Sequence, residues 1–134
     1  IVEIKSLKRI LDNSDDEIPM LCFIDEVLRG TNTLERIAAS STILATLSKN
    51  HCICFAATHD LELTSILEEY YRNYHFQEQI TDGDILFDYM LYEGKSKSRN
   101  AIRLLELLGY PKDIISNSQN ACETFLENGI WKKV

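Results

Sequence analysis

Two short, uninterrupted apolar runs constrain this chain most: Met20-Leu21-Cys22-Phe23-Ile24 and Cys52-Ile53-Cys54-Phe55-Ala56-Ala57. Runs of this length without polar alternation read as strands buried on both faces, the pattern of a parallel sheet. Each stops abruptly on reactive side chains, Asp25-Glu26 after the first and Thr58-His59-Asp60 after the second. Between them Asn32, with Glu35 three residues on, resembles a capping box. Leu34, Ile37, Ala38, Ser41 and Ala45 then form a helical stripe predicted to end near Lys49-Asn50. Strands followed by helices fit a parallel sheet with right-handed crossovers, which places both strand ends, and their polar residues, on the same edge.

The flanking segments complete an α/β reading. Val2, Ile4, Leu7, Ile10 and Leu11 predict a helix over 2–11, followed by an acidic connection from Asp12 to Glu17 closed by Pro19. Leu61 to Tyr70 predicts a short helix. Tyr71 to Ile80 and Ile85 to Tyr92 are rich in aromatic and β-branched residues and are separated by Thr81-Asp82-Gly83-Asp84, which predicts a hairpin. Two helices, Ala101 to Leu108 and Lys112 to Asn128, follow around a Gly109-Tyr110-Pro111 break. The expected architecture is parallel strands with crossover helices, then a β-hairpin and carboxyl-terminal helices, and a chain of 134 residues is expected to form one domain.

Charge and cysteine usage exclude several function classes. With 14 Lys and Arg against 21 Asp and Glu, the net charge is −7, which argues against a broad phosphate-binding surface. Any DNA is expected to be contacted by another segment. Cys22, Cys52, Cys54 and Cys122 contain no CxxC pair and three sit in apolar runs, so buried free thiols are expected rather than disulfides or zinc ligands. The longest apolar run, Cys52 to Ala57, is far short of a membrane span, so no membrane contact and a cytoplasmic location are expected. The opening Ile1-Val2-Glu3-Ile4-Lys5 is neither an initiator Met nor a signal peptide, and the chain reads as a piece of a longer protein. Asp82, Asp84 and Asp88 lack the EF-hand spacing and fit a solvated turn better than a calcium loop.

A strand that ends in Asp-Glu can hold Mg²⁺ on the Asp while the Glu polarises an attacking water; strand-end acids also arise as caps or solvated turns. His59 at the next strand end could contact a γ-phosphate, orient the water, or serve as a turn residue. Arg29, Thr31 and Asn32 supply donors suited to phosphate or a facing subunit, or simply form a capped turn. No GxxxxGK[ST] occurs, so the phosphate cradle is missing and a complete nucleotide site cannot be built from this chain.

Leu21 to Arg36, LCFIDEVLRGTNTLER, resembles the MutS signature in which a Walker B strand runs into D-E-x-G-R-G-T-S-T. Phe55 to Thr64, FAATHDLELT, is similar to that family's F-A-T-H-x-x-E-L, and Asn73 to Phe76, NYHF, to its N-x-H strand. Ile85 to Gly94 resembles the following strand, Ser96 and Ser98 the S-x-S motif, and Gly109 to Ile115 the G-x-P-x-x-I-I of the last helices. Val2-Glu3-Ile4 resembles the family's V-E-M. The resemblance implies the carboxyl-terminal half of a MutS-type ATPase domain, an ABC-like P-loop NTPase fold working as a dimer with two composite ATP sites. It implies Asp25 as the Mg²⁺ ligand, Glu26 as catalytic base and His59 as γ-phosphate sensor. Arg29, Thr31, Asn32 and Thr33 would form the loop addressing the partner's site. Asn73 and His75 match a family motif that implies cofactor binding, with a hydrogen-bonded strand histidine as the alternative reading.

Three departures stand out: Leu28 in place of the first Gly, Asn32 in place of Ser, and Ser98-Arg99-Asn100 in place of S-Y-G. They imply a divergent MutS-like branch. The resemblance further implies ATP and Mg²⁺ as cofactors of a longer parent, a second copy of the domain as partner, and DNA bound through upstream domains. Hydrolysis by this chain alone is expected to be negligible. A dimerisation module with degenerate nucleotide chemistry is the alternative, and a stand-alone metal-dependent hydrolase is disfavoured for want of a ligand cluster. Exposed apolar surface is expected where the missing half of the sheet would pack. Given the acidic charge, this chain alone should bind duplex DNA weakly; tight, salt-sensitive binding in a mobility-shift titration would contradict that expectation.

Overall fold

A computed structural model describes residues 2–15, 17–81, 84–96, 100–131 and 133, with backbone alone at residues 80, 81, 84 and 85. In chain order the elements are α1 (Val2–Asn13), β1 (Met20–Asp25), α2 (Thr33–Lys49), β2 (Cys52–Ala57), α3 (Leu61–Ile66), β3 (Tyr74–His75), β4 (Glu78–Thr81), β5 (Asp84–Phe87), β6 (Tyr92–Glu93), α4 (Ala101–Leu107) and α5 (Lys112–Asn128). The chain divides into two compact units, 1–75 with 91–96, and 76–90 with 97–134.

The first unit is built on a parallel pair. β1 and β2 run in register from Met20 opposite Cys52 to Asp25 opposite Ala57. The start of β1 is fixed by a Met20 N–H to His51 carbonyl bond of 2.9 Å. Nearby, Asn50 donates from Nδ2 to the Ser14 hydroxyl at 2.7 Å, and that hydroxyl donates to the Leu11 carbonyl at 2.8 Å, tying the end of α1 to the end of α2. Because side chains alternate along a strand, Cys22 and Ile24 face one way and Leu21 and Phe23 the other. Cys22 and Ile24 are buried with Leu44 and Leu47 of α2, Leu7 of α1, Val27, and Leu63 and Leu67 at α3. Leu47 is wholly buried. Tyr71 adds a hydroxyl donated to the Leu44 carbonyl at 2.9 Å.

Burial of the strands on both faces is not what the structure shows. Leu21, Phe23, Ile53 and Phe55 are 58, 71, 66 and 58% exposed, and the Phe23 and Phe55 rings stack across the pair at 5.3 Å. The physical reason is one of layers: the helices of this unit cover one face of the pair, and none of its described elements covers the other. Leu21, Phe23, Ile53 and Phe55 thus form an exposed apolar strand face.

The hairpin also differs from its sequence reading. Two long strands were expected over 71–80 and 85–92, whereas each is broken, so that β3 pairs antiparallel with β6 and β4 with β5. Tyr89, at φ 55°, turns the second segment, and the Asp88 carboxylate accepts the Met90 N–H at 2.9 Å. These local bonds compete with a continuous ladder. The Asp82-Gly83 turn lies outside the described residues, as do Ser98 and Arg99.

The helix over 61–70 stops at Ile66, where the Leu67 carbonyl accepts both the Tyr70 and the Tyr71 N–H. In the second unit α5 occupies its expected span and α4 ends at Leu107, one residue short of it. α5 closes at Gly129, whose φ of 68° is a conformation open to glycine without strain; beyond it Trp131 stacks on Phe125 at 4.2 Å.

The four cysteines are free, as expected, but only Cys22 is buried; Cys52, Cys54 and Cys122 are half-buried. Burial pushes the Cys22 thiol well above the ordinary range, with contributions from Cys54 and Cys52, which makes it a poor nucleophile. Among the described residues no helix is long and apolar enough to cross a membrane.

Truncating Leu47 to Ala should cost about 2–5 kcal/mol of stability. Phe23→Ser on the open face should cost no more than about 1.5 kcal/mol, the scale of its ring contact. Urea midpoints followed by circular dichroism check both, and equal losses would mean that the outer face is covered in solution.

Candidate functional site at the strand ends

The parallel register carries the two strand ends to one place. The Glu26 N–H donates to the Ala57 carbonyl at 2.9 Å, extending the ladder by one bond beyond Asp25. There the backbone turns sharply: Glu26 has φ 54° and Leu28 φ 61°, both left-handed conformations that cost an L-residue roughly 1–2 kcal/mol. Val27, 4% exposed, anchors this turn in the core. Its carbonyl accepts the hydroxyl of the fully buried Ser40 on α2 at 3.4 Å. Leu28 packs half-buried against the core, so its side chain offsets part of the strain that the expected glycine would avoid.

Arg29 reaches back over the acids. Its Nη2 lies 2.7 Å from Asp25 Oδ2 and its Nε 2.7 Å from Glu26 Oε2, while its backbone N–H donates to Glu3 of α1 at 3.2 Å. His59, from the end of β2, brings Nε2 to 3.4 Å from Glu26 Oε1. Asp25 and His59 are open to solvent, with side chains 79 and 95% exposed, whereas Glu26 is 27% exposed. Next to His59, Asp60 takes a two-pronged bond from Arg36 of α2, Nε to Oδ2 at 2.8 Å and Nη2 to Oδ1 at 2.5 Å. Hydrogen bonding from Arg36 holds the Asp60 carboxyl below its ordinary range, and Asp60 in turn raises the guanidinium. An open depression of about 210 Å³ is lined by Glu26, Arg29, Arg36, His59 and Asp60.

Of the residues singled out in the sequence, Asp25, Glu26, Arg29 and His59 therefore meet. Asn32 is committed to capping: its Oδ1 accepts the Leu34 and Glu35 N–H groups at 3.0 and 3.4 Å. Thr31 donates its hydroxyl to the Leu28 carbonyl at 3.0 Å, closing the turn, and Thr33 begins α2. Asn73 and His75 make their described polar contacts elsewhere. Asn73 donates to the Thr64 carbonyl of α3 at 2.9 Å and accepts the Gly94 N–H at 2.7 Å. His75 Nδ1 lies 3.0 Å from the Gly94 carbonyl, and its ring sits 5.8 Å from Tyr92.

Nothing in the sequence marks Arg36 as part of the site or gives Asp60 a partner. Their pairing spans 24 residues, so no local spacing reports it. As a donor set, the oxygens of Asp25 and Glu26 suit a hard cation such as Mg²⁺, which takes one or two carboxylates and fills its shell with water and phosphate. Among the described residues no group of three ligating side chains converges on a point.

Comparison with known proteins adds lineage. The family model for MutS domain V matches residues 1–126. The chain is 34% identical over 120 residues to the DNA mismatch repair protein MutS of Aquifex pyrophilus, covering 87% of this chain and 14% of that protein. It is 24% identical over 119 residues to the DNA mismatch repair proteins MutS of Thermus thermophilus and Thermus caldophilus, again spanning 14% of each.

The Arg36 pair makes stability depend on acid pH. Because the folded Asp60 carboxyl titrates below its ordinary value of 3.8, its contribution is full above about pH 4 and disappears as pH falls through the folded value. Asp60→Asn should flatten this acid limb in thermal melts; an unchanged limb would show that the pair contributes nothing to folding.

Proposed function

From a chain that belongs to the MutS family through its domain V, we propose that residues 1–134 are the carboxyl-terminal part of an ABC-like ATPase domain, and that the strand-end site is one portion of a composite Mg-ATP site. The observation that carries this reading is the meeting of Glu26 and His59 at 3.4 Å beside Asp25, at the carboxyl end of a parallel strand pair. That edge is where open α/β sheets bind ligands. A phosphate-binding GxxxxGK[ST] loop would come from outside these residues, and a second copy of the domain would complete the site.

In this reading Asp25, exposed at the strand end, holds Mg²⁺, which when bound neutralises charge on phosphate oxygens. Glu26 is the base. Its carboxylate is half-shielded and lies between Arg29 at 2.7 Å and His59 at 3.4 Å, a geometry suited to orienting a water and accepting its proton. His59 senses the γ-phosphate and orients the same water, a role supported by its solvent-open ring and the 3.4 Å approach of one nitrogen to Glu26. Arg29, Thr31, Asn32 and Thr33 form the loop facing the partner's site, its shape held by the Asn32 cap and the Thr31 hydroxyl. The described bonds of Asn73 and His75 join β3 to α3 and to Gly94 and do not reach this site.

Nucleotide state would be coupled to DNA held by other segments of a mismatch-repair protein, in keeping with the net charge of −7 on this one. The four free cysteines fit a reducing cytoplasm. One observation favours the second reading, a dimerisation module with lapsed chemistry: Arg29 pairs with both Asp25 and Glu26 at 2.7 Å, occupying oxygens that a cation would need.

Mg-ATP turnover separates the two. This chain alone should be inert. Joined to a segment carrying GxxxxGK[ST], it should turn over, and Glu26→Gln should lower the rate by about 10²–10⁴-fold. If the joined protein is also inert, the dimerisation reading prevails.

A further inference from the structure

The most organised polar contact in the first unit lies one residue beyond the chemistry assigned above. Arg36 and Asp60 meet in a fork of two bonds at 2.8 and 2.5 Å, with side chains only 23 and 14% exposed. Surface ion pairs generally contribute little, but a fork between half-buried partners fixes direction as well as distance. Asp60 directly follows His59, and its backbone N–H donates to the Thr58 hydroxyl at 3.0 Å. The loop is therefore closed across His59 by Thr58 and Asp60 and strapped to α2 by Arg36.

The same helix also holds the other half of the site. α2 receives the Asn32 cap at its start, and its Ser40 hydroxyl bonds to Val27, next in sequence to Glu26. Glu26 and His59 are thus both referenced to α2, one through Ser40 and the strand-end turn, the other through Arg36. His59 has no comparable support of its own, since its side chain is 95% exposed. The rotamers open to such a ring depend on its backbone φ/ψ, so the backbone beneath it sets which positions the imidazole can reach.

We propose that Arg36 and Asp60 are positioning residues, whose fork fixes the Thr58-His59-Asp60 loop against α2 and so keeps the His59 imidazole opposite the Glu26 carboxylate. The inference rests on reading Glu26 and His59 as a functional pair. It adds two residues that act through His59 rather than on any ligand. It also gives Asp60 a role distinct from capping α3, since no side-chain cap bond from Asp60 to that helix is present.

The test is nuclear magnetic resonance on the labelled 134-residue chain without nucleotide, following the cross-peaks between the His59 ring protons and the Glu26 side chain. Arg36→Ala should abolish them while the amide dispersion of β1 and α2 is retained. The exchanged pair, Arg36→Asp with Asp60→Arg, should restore them. Arg36→Lys keeps the charge without the fork and should also lose them, and it decides the matter if the Ala variant unfolds. Cross-peaks that persist in a folded Arg36→Ala or Arg36→Lys chain, or a loss that the exchanged pair fails to reverse, would overturn the proposal. No ATP enters the measurement, so failure of the ATPase reading shows up separately, as an inert joined protein whose cross-peaks still respond to Arg36.

Discussion

Everything at the candidate site depends on how β1 and β2 are paired. Because the register sets Asp25 opposite Ala57, the residues that follow each strand emerge together, and Glu26 extends the ladder by bonding to Ala57. A slip of one residue would send Cys22 and Ile24 to the open face and Leu21 and Phe23 into the core. The strand-end acids and His59 would then part. The register is held at the other end too, where Met20 bonds to His51 and Asn50 reaches Ser14.

α2 is the second constraint, and it carries two kinds of load. Its apolar face, through Leu44 and Leu47, supplies the cover under the strand pair. Its first turns carry polar devices instead: the Asn32 cap, the Arg36 fork and the buried Ser40 hydroxyl. Packing and site geometry are therefore coupled through one rigid element. Two left-handed, non-glycine residues, Glu26 and Leu28, are tolerated in the turn between β1 and α2 because Val27 is buried between them and Leu28 packs against the core.

The open apolar face has the opposite character. Leu21, Phe23, Ile53 and Phe55 make an apolar strand face, yet the helices of this unit lie on the other side only. The ring stack of Phe23 on Phe55 shields part of that surface locally. Most of it remains in water, at a hydrophobic cost proportional to its area.

What the sequence determined by itself was whatever depends on neighbours along the chain. The apolar runs located β1 and β2, Asn32 marked the start of α2, Gly109 and Pro111 separated α4 from α5, and the abrupt endings pointed to Asp25, Glu26 and His59. Only the tertiary structure decided which distant groups meet. Arg36 finds Asp60 across 24 residues, Arg29 turns back onto both acids, and Asn73 and His75 bond to α3 and Gly94. It also decided that one strand face stays open and that the expected hairpin divides, because a strand's periodicity records which faces are apolar but not which element arrives to cover them. Local propensity acts over a turn or a strand, whereas a salt-bridge fork or a layer of cover is set by the packing of whole elements.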